Sequence, residues 1–259
     1  MTEKPQILTR GEGVTIAYHR SPGRGPGVMF LGGFMSDMTG TKAVALEDFC
    51  RKRGQAFLRF DYQGHGQSSG RFEDGCIGTW SEDAIAALDE LTEGPQILVG
   101  SSMGGWIMLL AALARPARVA ALVGIAAAPD FVTRMWDEFS PEIQRRIVME
   151  GVYRAPSQYS QTPYAITHKL IEDGRRHLLL GKPIPLRCPV RLLHGMKDPD
   201  VPWDTSLMLA GALESTDVDV IFAKEGDHRL STPADLERLF GVVASLSDQE
   251  AARPFKPLL

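Results

Sequence analysis

The sequence predicts an α/β fold built on a mostly parallel, doubly wound sheet that carries one helical insertion. Three observations predict it. Short, almost continuously apolar segments recur at 28–31, 56–60, 96–99, 119–125, 190–193 and 218–222; strands apolar on both faces belong to a parallel sheet covered on each side. Segments of helical periodicity lie between them, the alternation that marks a doubly wound sheet. The alternation lapses once, over 129–187, where aromatic residues and helix-start signals replace strand signals.

Each element has a local reason. The strand at 28–31 is closed by Gly32-Gly33. A helix follows over 41–53, with Val44, Leu46 and Phe49 apolar and Gly54 at its C-terminal stop. The strand 56–60 runs into a glycine-rich loop. The helix at 79–92 sets Ile85, Leu88 and Leu91 on one face and is stopped by Gly94-Pro95. The strand 96–99 leads into an apolar helix over 104–114 that ends before Pro116, and the strand 119–125 follows. Inside the insertion, Ser140-Pro141-Glu142 and Thr162-Pro163 each place a capping residue before a proline at the first helical position, and the second helix is expected to end near Gly174. The strand 190–193, a helix over 203–213, the strand 218–222 and a helix over 232–245 complete the pattern. The tail 252–259, with two prolines, is expected to be irregular.

The chain has 259 residues, 44% apolar and 23% charged. That suits one large domain with an insertion: a core of residues 1–128 and 188–259, and a cap of residues 129–187. Twenty-eight Lys and Arg against 32 Asp and Glu leave a net charge of −4, which argues against nucleic-acid binding by phosphate neutralisation and against a polybasic membrane anchor. Cys50, Cys76 and Cys188 are too few and too far apart for a disulfide framework or a zinc site. The longest apolar run, 106–114, is far short of the about 20 residues that span a bilayer, so no stable membrane insertion is expected. Residues 1–6 show neither an apolar signal region nor an Arg-rich amphipathic leader. The expected location is therefore cytoplasmic.

The pattern G-x-S-x-G occurs twice. Gly66-Gln67-Ser68-Ser69-Gly70 is followed by more turn residues, which makes Ser68 part of a surface turn. Gly100-Ser101-Ser102-Met103-Gly104 stands between a strand and a helix, the context of a nucleophile elbow. There the middle residue sits on a sharp, strained turn with its hydroxyl exposed, and its flanking positions must be glycine because strand and helix pass so closely. Ser102 also begins a helix, where backbone N–H groups favour developing negative charge. It is the candidate nucleophile.

A serine needs a base and an orienting acid. Of the six histidines, His228 follows the strand 218–222 and precedes the last helix, the right position for a base; His194, at the end of its own strand, reads as a packed structural histidine, and His168 and His177 as residues of a solvated helix face. His65 is a lesser candidate for substrate contact. The acid belongs after the strand 190–193, where Asp198 is favoured over Asp200. Asp200 either caps the next helix or faces solvent. The oxyanion hole needs two backbone N–H groups: that of Met103, and that of Phe34 in the Gly32-Gly33-Phe34 loop, with Gly33 close behind.

With these residues in place, the chain resembles the α/β-hydrolase superfamily from residue 11 onward. The elbow, the glycine loop, Asp61-Tyr62-Gln63-Gly64-His65-Gly66-Gln67-Ser68, and His194-Gly195-Met196-Lys197-Asp198 with Val201-Pro202 stand in that superfamily's order. Within it, the stretches 94–106, 191–198, 215–220 and 227–229 are similar to the palmitoyl-protein thioesterase / acyl-glucuronide esterase branch known from animal mitochondria. The resemblance implies Ser102, Asp198 and His228 as a triad, and S-acyl or O-acyl esters as substrates. The expected activity is hydrolysis of carboxylic ester or thioester bonds through an acyl-enzyme, with a small-molecule ester or acylated thiol as partner and no metal or organic cofactor. Phe131, Trp136, Phe139, Tyr153, Tyr159 and Tyr164 are expected to wall an acyl pocket. C–C bond hydrolysis, peptidase work and perhydrolysis use the same constellation and stay open, as does a binding module without catalysis.

Overall fold

A computed structural model describes residues 4–156 and 163–252. The elements run β1 (Gln6–Thr9), β2 (Thr15–Ser21), β3 (Arg24–Leu31), α1 (Thr41–Lys52), β4 (Gln55–Phe60), α2 (Ile77–Leu91), β5 (Gln96–Ser101), α3 (Met103–Ala114) and β6 (Val119–Ile125). Then come α4 (Phe131–Glu138), α5 (Pro141–Glu150), β7 (Val152–Ala155), β8 (Tyr164–Thr167), α6 (His168–Gly174), β9 (Val190–Gly195), α7 (Asp204–Ala212), β10 (Val218–Ala223) and α8 (Pro233–Ala252). Among the described residues, eight strands form one sheet in the order β1-β2-β4-β3-β5-β6-β9-β10, and β7 and β8 form a separate hairpin. From β4 to β10 every neighbour is parallel; β1 and β2 enter antiparallel at one edge.

The apolar runs are explained by burial on both sides. In β3, Val28 and Phe30 face α1 and α8, packing with Leu46, Cys50 and Val243. Met29 and Leu31 face α2 and α3, in the larger cluster built on Trp80 and Trp106. Both tryptophans are completely buried, and each contributes about 4–6 kcal/mol of gross apolar burial. Parallel pairing brings the carboxyl ends of β3, β5, β6, β9 and β10 to one side of the sheet, and Phe34, Ser102, Asp198 and His228 follow the ends of β3, β5, β9 and β10. Burial also pushes the Cys50 thiol up to about 12, which makes it inert as a nucleophile.

Three departures from the sequence reading have physical causes. Strands β1 and β2, at the antiparallel end of the sheet, are exposed or half-buried except at Ile16 and Ala17, so they lack the continuous apolar run that marks the interior strands. The helix expected to begin at Thr162-Pro163 begins instead at His168. Tyr164, Ile166 and Thr167 pair with β7, and Thr167 caps the helix by accepting from the Leu170 N–H at 3.0 Å; Thr162 itself lies outside the described residues. Aromatic and β-branched side chains with a partner strand at hand favour the hairpin over the helix. The last helix also continues to Ala252, because Leu246 and Ser247 still reach the core. By contrast Ser140 caps α5 as expected, accepting from the Ile143 N–H at 3.3 Å, with Pro141 at the first position and Gly151 left-handed at the end. The tail 253–259 lies outside the described residues.

At the β5–α3 turn a Cβ on Gly104 would be driven into the carbonyl of Leu31, and one on Gly100 into the carbonyl of Gly104. Backbone cannot move aside as a side chain can. Gly104→Ala is therefore expected to lower unfolding free energy by about 2–4 kcal/mol. Gly241→Ala, in an exposed turn of α8 with open space around it, should raise it by about 0.5–1 kcal/mol. Paired denaturant titrations check both.

Candidate active site

Ser102 stands between β5 and α3 with φ 53° and ψ −121°, a conformation that costs a non-glycine residue of order 1–3 kcal/mol. Its own backbone holds it there. Its N–H donates to the Ile125 carbonyl at 2.9 Å, and its carbonyl accepts from Gly105 and Ala128 at 2.8 and 3.1 Å. The strain turns Oγ out to meet His228, whose Nε2 lies 3.1 Å away. His228 Nδ1 in turn lies 2.8 Å from Asp198 Oδ2.

His228 sits on the loop between β10 and α8. The Asp227 carboxylate folds this loop by accepting from the N–H groups of Arg229 and Leu230, both at 3.0 Å. Lys42, on the first turn of α1, donates its ammonium to the Arg229 carbonyl. Burial, reinforced by the neighbouring Arg229 guanidinium, lowers the Lys42 amine to about 8. Lys42 was not visible as a site residue because its partner is 187 positions away.

Asp198, not Asp200, receives the histidine. Its side chain is completely buried, and all four acceptor positions are filled. Oδ1 takes the N–H groups of Asp200 and Val201 at 2.8 and 2.9 Å; Oδ2 faces His228 Nδ1 at 2.8 Å and His194 Nε2 at 3.2 Å. Burial alone would push this carboxyl up, but the bonds from His194 and His228 outweigh it and hold Asp198 well below the usual carboxylate range. Asp200 does not cap α7, which starts four residues later at Asp204; its carbonyl accepts from the Arg134 guanidinium of α4. His194 is buried as the sequence predicted, yet it touches Asp198, which the sequence reading missed.

The loop carrying Phe34 runs alongside the elbow: a Cβ on Gly33 would lie 3.4 Å from Ser102 Cβ. The Phe34 ring packs edge-on against Phe72 at 4.9 Å and against Phe131 and Tyr164 at 5.8 Å each. Of the insertion's other aromatics, Trp136 lies under Arg175 at 4.9 Å and Phe139 pairs with Tyr153 at 5.7 Å. Tyr159 lies outside the described residues. His65 is enclosed by Tyr62, Phe72 and Trp80, and burial lowers it to about 4, so it is a neutral member of this aromatic layer. Ser68 Oγ is committed to backbone, accepting from Ala17 and donating to the Asp61 carbonyl, the structural part its sequence context indicated.

Asp198, Asp200 and His228 each bring one donor atom within 4.8 Å of the others. The Asp198 lone pairs are already filled by N–H donors, so this cluster is built for a hydrogen-bonded imidazole and not for a cation.

Residues 43–150 match the family model described as alpha/beta hydrolase fold. The bovine protein named "Palmitoyl-protein thioesterase ABHD10, mitochondrial" is 47% identical over 244 residues, 94% of this chain and 80% of its own; the human protein of the same name is 45% identical over the same shares. The chain belongs to the α/β-hydrolase family. A solved structure of the mouse alpha/beta hydrolase domain-containing protein 10 superposes with a TM-score of 0.89 at 45% identity, covering 95% of this chain and 99% of that one. A putative hydrolase from Agrobacterium vitis S4 also reaches 0.89, at 37% identity, covering 95% and 98%. This chain is an α/β hydrolase of the branch to which these relatives belong. The mitochondrial names of the relatives overturn the cytoplasmic location expected from residues 1–6; the character of six residues tests only for a leader within them. Among the described residues, no helix is long and apolar enough to cross a membrane.

The depressed Asp198 carboxyl makes a pH-dependent contribution to stability. A group whose folded value lies below its unfolded one stabilises above the unfolded value, near pH 4, and loses that contribution as pH falls through the folded value. The melting-temperature gap between wild type and Asp198→Asn is thus expected to be full at pH 7 and to narrow steadily below about pH 4. Thermal melts at stepped pH measure it.

Proposed function

We propose that this α/β hydrolase removes a long-chain acyl group from a thioester through a Ser102–His228–Asp198 triad. The observation that carries the reading is the unbroken path from Ser102 Oγ to His228 at 3.1 Å and from His228 to Asp198 at 2.8 Å, on a serine held in strained backbone. His228 Nε2 accepts the Ser102 proton as Oγ attacks the acyl carbonyl carbon. The backbone N–H groups of Met103 and Phe34 receive the negative charge on the carbonyl oxygen. The tetrahedral species collapses; His228 gives the proton to the departing sulfur, and a thiol leaves. Water then attacks the Ser102 ester, with its proton passing to His228. Free acid departs and Ser102 regains its hydrogen. Asp198 keeps the imidazole in the tautomer with hydrogen on Nδ1 and stabilises the imidazolium. Every step runs through the chain's own groups and needs no metal or organic cofactor.

Support for a thioester and a fatty acyl group comes from the relatives named palmitoyl-protein thioesterase. Support for an apolar pocket comes from residues 129–187, read as a cap over the core. Phe131 and Tyr164 from this segment meet Phe34 in the oxyanion loop. Asp130 closes the base of the segment, accepting from Leu179 N–H at 2.9 Å and from Leu180 N–H at 2.7 Å. The acyl chain would lie along this aromatic wall.

A fluorophosphonate probe is expected to label Ser102 in the wild type, with no labelling in Ser102→Ala; a wild type that takes no label would contradict the serine-hydrolase mechanism. Ser102→Ala should lose at least about 10⁴-fold in kcat on acyl thioesters. In a series of acyl chain lengths, Phe131→Ala is expected to lose roughly tenfold more kcat/KM on long chains than on short ones, while Trp136→Ala keeps the wild-type preference. An unchanged preference in Phe131→Ala would remove the cap from the acyl site.

A further inference from the structure

Asp198 has two histidines on one oxygen, and the proposed mechanism uses only one of them. His194 lies at the carboxyl end of β9 with its side chain completely buried. Its Nε2 is 3.1 Å from the Val201 carbonyl and 3.2 Å from Asp198 Oδ2, and its Nδ1 is 2.7 Å from Ser206 Oγ in α7. A carbonyl only accepts, so Nε2 carries the hydrogen and shares it between Val201 and Asp198. In the neutral ring Nδ1 is then an acceptor, filled by the Ser206 hydroxyl, which is itself buried. Ser206, His194 and Asp198 form a continuous path that ends on the oxygen facing His228.

We propose that His194 is a positioning residue for the hydrolysis: its Nε2–H holds the Asp198 carboxylate ionised and aimed at His228, and Ser206 fixes the ring that does so. This rests on the reading of Ser102, His228 and Asp198 as the triad. A histidine that merely fills the core has no need of the acid. Here β9 otherwise contributes apolar Leu192 and Leu193 to the packing, and the one polar ring is spent on the carboxylate.

Other buried carboxylates show what the histidines add. Asp61 accepts two backbone N–H bonds, and Asp130 accepts from the backbone N–H groups of two residues; burial still leaves both above the usual range. Asp198 accepts two backbone N–H bonds as well, and falls below that range because His194 and His228 both face its second oxygen. Among the described residues, the Asp200 carboxylate is a nearby like charge, Arg134 from α4 binds the Asp200 carbonyl, and Lys42, Asp227 and Arg229 stand at the His228 loop. Behind the His194 ring, Asp235 and Arg238 of α8 line the same small cavity and pair with each other at 2.9 Å.

The test is the pH profile of kcat/KM on a p-nitrophenyl ester for the full chain and for His194→Leu, His194→Gln and Ser206→Ala. A carboxylate short of one donor grips the His228 imidazolium more tightly. In His194→Leu the acidic limb should move up by about half a pH unit or more, and kcat should fall roughly tenfold with KM within about twofold. Glutamine, whose amide N–H takes the Nε2 place, should return the limb to near its wild-type position. Ser206→Ala should shift it in the same direction by less, and supplies the reading if the leucine variant does not fold. An acidic limb unmoved in both His194→Leu and Ser206→Ala, with only the melting temperature lowered, would make His194 a packing residue and overturn the proposal. So would a ¹⁵N spectrum placing the His194 hydrogen on Nδ1. Fluorophosphonate labelling of the same wild-type sample separates the two levels: labelling at Ser102 with an unmoved limb rejects His194 alone, whereas no labelling rejects the triad beneath it.

Discussion

The site depends on how closely β5 and α3 approach at the turn between them. There is no room for a Cβ at Gly100 or Gly104, so the chain can reverse within one residue, and that residue must take a left-handed backbone. Ser102 takes it, at φ 53°. The strain is not relieved by a looser turn because β6 and the segment after it clamp Ser102 through Ile125 and Ala128. The same closeness puts the N-terminus of α3 beneath the serine and brings the Gly33–Phe34 loop alongside it. One steric constraint thereby sets the conformation of Ser102, the position of the Met103 N–H and the approach of the Gly33–Phe34 loop.

The rest of the site is organised by charge. Buried carboxylates in this protein divide by what faces them. Asp83, completely buried and paired with Arg10 at 2.7 Å, ties the N-terminal segment to α2 and is still pushed upward by burial; it is a structural tie with a desolvation cost. Asp198 has backbone N–H groups on one oxygen and two imidazoles on the other, and is pushed downward. Four donors converging on one carboxylate outweigh the loss of solvent, and the result is a stable anion beside His228. Backbone supplies half of those donors, through a turn that β9 and α7 hold in place.

Much of this was legible in the sequence because it is local. Ser102 was readable from glycines two positions to either side; Asp198 and His228 were readable from their places just after apolar strands. Ser140 and Pro141 announced α5 for the same reason. What was not legible depends on partners far along the chain. Strand β1 is mostly exposed and rests on β2, which in turn needs β4 beside it. Tyr164–Thr167 is a strand only because Val152–Ala155 lies beside it, and a capping pair alone could not reveal that. The contact of His194 with Asp198 spans four residues, yet it requires the turn at 195–198 to fold back on its own strand, and its fixing hydroxyl comes from α7. The link from Lys42 to the His228 loop has no local trace at all.

The central claim is that the acyl group passes through Ser102. The most direct measurement is to mix the enzyme with a long-chain acyl thioester, quench with acid within the first turnover, and locate the added acyl mass by peptide mapping. The account predicts the acyl group on the peptide bearing Ser102, as an ester that hydroxylamine releases more slowly than a thioester. An acyl group carried instead on Ser68, on Ser101 or on a cysteine would contradict it.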